Sequence, residues 1–241
     1  MSLKNRLIIA LDVDSYERAS ELVDLLSPVV DIFKVGIAPF TDFGEKIIDK
    51  LHKNNKKIFL DLKYHDIPNT VKNAAAAAAK KGIFMMNFHC LGGKKMLEAA
   101  VKGAEEAAGG KIKRPILLGV TVLTSMDDGD LGKIGIDGSV KERVMEFAKL
   151  ALEAGLDGVV GSAEETAGIK KLCGKDFIVV TPGIRPLWSE SGDQKRVASP
   201  GEAMANGSDY IVVGRPVIEA DDPREAAAKI MEEMEQKGRR R

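Results

Sequence analysis

Eight short apolar runs recur along the chain, each followed by a helix-length stretch, and this alternation narrows the fold more than any other feature. The runs cover residues 7–11, 32–35, 58–62, 84–88, 116–122, 158–160, 177–180 and 210–213. Most are continuously apolar rather than alternating, as expected for parallel strands covered by helices. Each strand–loop–helix unit takes about 30 residues, the size of a βαβ element. Eight such units in 241 residues fit a closed (β/α)8 TIM barrel of the α/β class better than an open doubly wound sheet. No Pro/Gly/Ser-rich linker or shift of composition divides the chain. Residues 1–241 are therefore expected to form one barrel domain.

Local signals place some of the helices. Ser15 is an expected N-cap for a helix over residues 16–26, and Pro39 is expected to open a helical stretch running to about Asn54. The six alanines at 74–79 read as the close-packed middle of a helix, because alanine is the strongest helix former.

Charge and composition exclude several function classes. Lysine plus arginine is 36 and aspartate plus glutamate is 36, so the formal charge is zero. Sequence-independent nucleic-acid binding needs a basic surplus, and Arg239, Arg240 and Arg241 read as a frayed terminus. No apolar run approaches the roughly 20 residues that span a bilayer. The start, polar through Arg6 and then briefly apolar, is too short for a signal peptide. Cys90 and Cys173 stand alone, without metal-type spacing or a disulfide framework. The expectation is a cytoplasmic protein acting on a small molecule, with neither nucleic acid nor membrane as partner.

In such a barrel, chemistry belongs at the carboxyl ends of the strands. Asp12 ends the first run, Lys34 interrupts the second, and Asp61 and Lys63 end the third. Thr124 and Ser125 follow the fifth, Arg185 the seventh, and Gly214 and Arg215 the eighth. Asp61 and Lys63 are two apart, so on a regular strand both point to one face. A buried acid–base pair can serve only to neutralise itself. Against that stands the second lysine, Lys34, which reaches the same rim from the neighbouring strand, with Asp66 following after a short turn. Alternating charges at one barrel mouth read as catalytic.

Gly214-Arg215-Pro216 after an apolar strand reads as a phosphate grip, with backbone amides, a helix start and a guanidinium available to an anion. Residues 182–196 form the longest irregular stretch, contain Trp188 and two glycines, and read as a functional loop. His65 and His89 are expected to bond locally and His52 to be exposed. No spacing suits a dedicated zinc site. Ser125 has no histidine base in motif terms, which leaves no support for a serine hydrolase.

Taken together, these segments resemble orotidine 5′-phosphate decarboxylases. The resemblance rests on Phe59-Leu60-Asp61-Leu62-Lys63-Tyr64-His65-Asp66-Ile67-Pro68-Asn69-Thr70, on Phe33-Lys34-Val35-Gly36 and on Val122-Leu123-Thr124-Ser125-Met126. Thr181-Pro182-Gly183-Ile184-Arg185-Pro186, Gly192-Asp193-Gln194-Lys195-Arg196 and Val213-Gly214-Arg215-Pro216 complete it. One Asp-x-Lys-x-x-Asp is weak, because related barrels share it; the full set in order is specific. The resemblance implies decarboxylation of orotidine 5′-monophosphate to UMP, without metal or organic cofactor, by a homodimeric barrel. It implies Lys63 as proton donor in a charged network with Lys34, Asp61 and Asp66. It further implies that Asp66, Ile67 and Thr70 enter the partner's active site. Asp12 and Lys34 would contact the ribose, and Thr124 and Ser125 the pyrimidine. Gln194, Gly214 and Arg215 would hold the phosphate, with Arg185 near that loop, and Pro182 would also bind the substrate. The nearest rival is a magnesium-dependent sugar-phosphate decarboxylase or aldolase of similar fold. Those enzymes place an acidic metal ligand where this chain has Lys34. A silent phosphate-binding barrel is the other alternative, and the intact Lys63, Asp61 and Asp66 argue against it.

Overall fold

The computed structural model describes residues 3–110, 112–189 and 197–236. Eight parallel strands close into a barrel: β1 Leu7–Ala10, β2 Ile32–Gly36, β3 Lys57–Tyr64, β4 Met85–His89, β5 Ile116–Val120, β6 Gly158–Val160, β7 Ile178–Thr181 and β8 Tyr210–Val213. Closure comes from pairing of β1 with β8, in which Leu7, Ile8 and Ile9 face Ile211, Val212 and Val213. The expected strands are all present, and the barrel expectation holds. Their ends shift by at most two residues: β3 runs on to Tyr64 rather than 62, and β5 stops at Val120 rather than 122.

Continuous apolar runs make sense once the two strand faces are separated. Ile8, Ile32, Phe59, Met85, Leu118, Val180, Tyr210 and Val212 belong to one buried cluster, which fills the barrel interior. Their neighbours in sequence, among them Leu7, Ile9, Phe33, Leu60, Met86, Val179 and Ile211, belong to the larger cluster shared with the helices. Away from the carboxyl ends both faces are dry, so period-two alternation there does not show as polar against apolar.

Eleven α-helices among the described residues surround the strands. They are α1 Tyr16–Leu26, α2 Ile37–Phe43, α3 Glu45–Lys53, α4 Pro68–Lys80, α5 Gly93–Ala107, α6 Asp128–Lys133, α7 Val140–Glu153, α8 Ala163–Cys173, α9 Pro200–Ala205, α10 Arg215–Ile218 and α11 Pro223–Glu235. Ser15 caps α1 as expected, its side chain accepting from the Arg18 N–H at 3.2 Å. The stretch expected to open at Pro39 instead begins at Ile37 and is two helices. Gly44, at φ +54°, breaks it, a conformation glycine reaches without the Cβ penalty. The alanine run does sit within α4, with Ala75, Ala78 and Ala79 buried. Small residues let α4 and α5 approach closely: a Cβ on Gly103 would lie 2.1 Å from the Lys72 carbonyl oxygen.

The amino end of the barrel is tied by acids that precede strands. Asp157 accepts from the Leu117 N–H and from Arg114, and Asp209 accepts from the Val179 N–H and from Lys170. These bonds satisfy donors at strand starts and leave the opposite end for chemistry. No described helix is long and apolar enough to cross a membrane.

Candidate active site

The interior face changes character along each strand. β2 runs from Ile32 to Lys34, β3 from Phe59 through Asp61 to Lys63, and β4 from Met85 to Asn87. Apolar side chains fill the amino end, and polar ones collect at the carboxyl end. There a cavity of about 490 Å3 opens, within the range of small-molecule sites. Of the sequence-predicted residues, Asp12, Lys34, Asp61, Lys63, Thr124, Pro182, Arg185, Gly214 and Arg215 line it.

The charges form a row. The Lys34 ammonium lies 3.2 Å from the Asp12 carboxylate and 3.4 Å from Asp61 Oδ2. Asp61 Oδ1 accepts from Lys63 Nζ at 2.7 Å. Lys34 and Asp61 are each only 8% exposed, so their mutual pairing is what makes burial of either tolerable. Burial, the largest single influence on Asp61, pushes its carboxyl up. Lys34, Lys63 and the hydrogen bonds from Lys63 and Asn87 outweigh it and hold the group below the usual carboxylate range. Asp61 is therefore an anion at neutral pH. Gly36 leaves room for this row: a Cβ there would come within 2.9 Å of both Asp12 Oδ1 and Lys34 Nζ.

Asp61 and Lys63 are paired as expected, but not on a regular strand. Leu60 faces Met86 and Tyr64 faces Phe88, so Asp61, Leu62 and Lys63 together stand opposite Asn87. Within this bulge Lys63 has φ +50°, a left-handed conformation uncommon for a side-chain-bearing residue. Asn87 is fully buried, donates to Asp61 Oδ1 at 2.7 Å and accepts from the Lys63 N–H at 2.8 Å. Sequence reasoning missed it. The available clue was a polar residue two positions after Met85 in the otherwise apolar run 84–88.

Thr124 lines the cavity, whereas Ser125 is exposed beside it. Asp66, Ile67 and Thr70 lie at the start of α4, exposed and outside this cavity; Ile67 is 67% exposed. Arg185 sits at the root of the long loop, whose ends are drawn together where its N–H donates to the Ala198 carbonyl at 2.9 Å. Gln194 and the rest of 190–196 lie outside the described residues, as do Arg239, Arg240 and Arg241. His89 ends β4 as expected, accepts from the Leu91 N–H and stacks on His65 at 5.6 Å. Burial first, then His65 and Lys63, push its pKa down. His52 is exposed and meets the Lys81 carbonyl. Burial pushes the Cys90 thiol up to about 12, which leaves it unreactive at neutral pH.

The model of the orotidine 5′-phosphate decarboxylase / HUMPS family matches residues 5–230. The chain belongs to this family. It is 50% identical over 233 residues to the orotidine 5′-phosphate decarboxylase of Carboxydothermus hydrogenoformans, covering 97% of each chain. Identity is 47% over 232 residues to that of Syntrophotalea carbinolica, covering 96% of this chain and 95% of the relative. Among solved structures, the orotidine 5′-phosphate decarboxylase of Lactobacillus acidophilus superposes with a TM-score of 0.84 at 39% identity. That match covers 95% of this chain and 99% of the other. Family membership thus accords with the charged row at the barrel mouth. The family model also spans the segment from Asp61 to Thr70 and the loop that follows β8.

Proposed function

We propose that this chain decarboxylates orotidine 5′-monophosphate to UMP and carbon dioxide, the last step of pyrimidine synthesis. The observation that carries the reading is the Lys34–Asp61–Lys63 row at the carboxyl end of the barrel. Breaking the bond to the carboxylate leaves its electron pair on a pyrimidine carbon that has no electron sink. An ammonium beside that carbon stabilises the developing charge electrostatically and then gives it a proton. Lys63 is that donor; solvent later returns its proton.

Asp61 faces the substrate carboxylate. Two unit charges about 4 Å apart repel by roughly 4 kcal/mol at an effective dielectric of about 20. The repulsion is relieved as neutral carbon dioxide departs. Asp12 and Lys34 bind the ribose, and Thr124 and Ser125 lie against the base. Gln194, Gly214 and Arg215 hold the phosphate, and Pro182 and Arg185 also bind the substrate. Phosphate binding assists the distant reaction by organising the site.

The reaction proceeds without metal or organic cofactor. In support, the Lys34 ammonium bridges Asp12 and Asp61, where a divalent ion would otherwise neutralise two carboxylates. Residues 1–241 act as one barrel domain in the cytoplasm. Two copies pair so that Asp66, Ile67 and Thr70 of each complete the other's site, in keeping with their exposure outside their own cavity.

Loss of absorbance by orotidine monophosphate is the direct test, run in excess EDTA. Turnover is expected to persist. Activity abolished by EDTA and restored by magnesium would assign the chain to the metal-dependent branch. No turnover under either condition would leave a silent phosphate-binding barrel.

Arg215→Ala separates phosphate binding from fold support. A charge-assisted hydrogen bond is worth about 1.5–3 kcal/mol, so KM for the nucleotide is expected to rise by roughly 10- to 150-fold. The corresponding nucleoside, which lacks the phosphate, is expected to react at nearly the wild-type rate. Equal losses for both would make Arg215 a structural residue.

A further inference from the structure

We infer that Asn87 is a positioning residue for the reaction, fixing at once the Asp61 carboxylate and the backbone that carries Lys63. The inference rests on the reading of Lys63 as proton donor. β3 and β4 fall out of register over Asp61, Leu62 and Lys63, so the regular ladder does not supply an acceptor for the Lys63 N–H. A buried peptide donor needs one. Asn87 Oδ1 provides it at 2.8 Å.

The orientation of the amide follows from its partners. A backbone N–H can only donate, so Oδ1 must face Lys63 and Nδ2 must face Asp61. Nδ2 then donates to Asp61 Oδ1 at 2.7 Å, the same oxygen that accepts from Lys63 Nζ. Asp61 Oδ2 faces Lys34. Both carboxylate oxygens are thereby engaged.

The charged and titratable groups around this point lie on three strands and just past the end of a fourth. They are Asp12 beyond β1, Lys34 on β2, Asp61 and Lys63 on β3, and His89 on β4. A neutral amide adds a donor without changing their balance. An apolar side chain of similar size would fill the space but leave the Lys63 N–H and one side of Asp61 unanswered.

Two substitutions separate positioning from packing. Asn87→Leu keeps the branched skeleton of the side chain and removes both bonds. Asn87→Asp is a titrating mimic: when protonated, its carboxyl accepts from the Lys63 N–H and donates to Asp61, as the amide does. Facing Asp61, that carboxyl keeps its proton to above the ordinary value of about 3.9. Rates are read per UMP-binding site across about pH 5 to 9, beside the wild type and Lys63→Ala.

Asn87→Leu is expected to lower kcat on the order of 100-fold at every pH, with the UMP dissociation constant within about threefold. Asn87→Asp is expected to recover most of kcat at the acid end and to lose it as the shared proton leaves. The wild-type profile should not show that added limb. If Asn87→Asp merely parallels the wild type or Asn87→Leu, the inference fails. It fails equally if neither variant yields UMP-binding protein, because Asn87 would then serve folding alone. A wild type without decarboxylase activity would instead overturn the functional reading.

Discussion

Lys63→Ala is expected to lower turnover by roughly 100- to 10,000-fold, the range for losing a positioned general acid, while UMP still binds. The structure gives the reason. Lys63 Nζ is held 2.7 Å from Asp61 Oδ1 and lines the cavity. The neighbouring Lys34 ammonium is already placed between Asp12 and Asp61, so it is poorly situated to take over. Single-turnover decay of orotidine monophosphate, with UMP affinity measured in parallel, checks both halves. Retention of more than about a tenth of the wild-type rate would lie outside the effect of losing a general acid and would remove Lys63 from that role.

A larger contrast is expected from mixing two inactive proteins. Asp66 is exposed at the start of α4, where Pro68 begins the helix, and does not line its own cavity. In a C2 dimer this segment appears twice, each copy facing the other barrel mouth. Lys63→Ala and Asp66→Ala homodimers should each be nearly silent. After subunit exchange, a heterodimer has one site carrying both lesions and one carrying neither. Activity should then return to about half of wild type per heterodimer. Heterodimers confirmed by mass yet lacking activity would show that Asp66 serves its own subunit.

The strands were legible because each apolar run must cross a barrel that is dry on both faces. Closure was less legible. Nothing in the run 7–11 or the run 210–213 announces that they pair, and the β1–β8 ladder appears only in three dimensions. Asp12, Lys34, Asp61 and Lys63 could be read as one mouth because charges at strand ends are costly unless paired or used. Asn87 escaped for the complementary reason: it carries no charge, and its value depends on a bulge in a different strand. The split of the second helical stretch at Gly44 escaped as well. Its flanking residues continue a helical pattern, and the turn lies in the backbone angle rather than in hydrophobic periodicity.

The left-handed backbone at Lys63 bears on how this barrel can be improved. Such a conformation at a non-glycine residue costs on the order of 1–3 kcal/mol, against total stabilities of about 5–15 kcal/mol for a domain. Glycine or asparagine would accept the angle more readily. A search for heat tolerance that scored only folding would thus be drawn to position 63 among its first gains, and would discard the ammonium proposed here as the proton donor. Thermal selection on this scaffold has to be coupled to turnover from the first round.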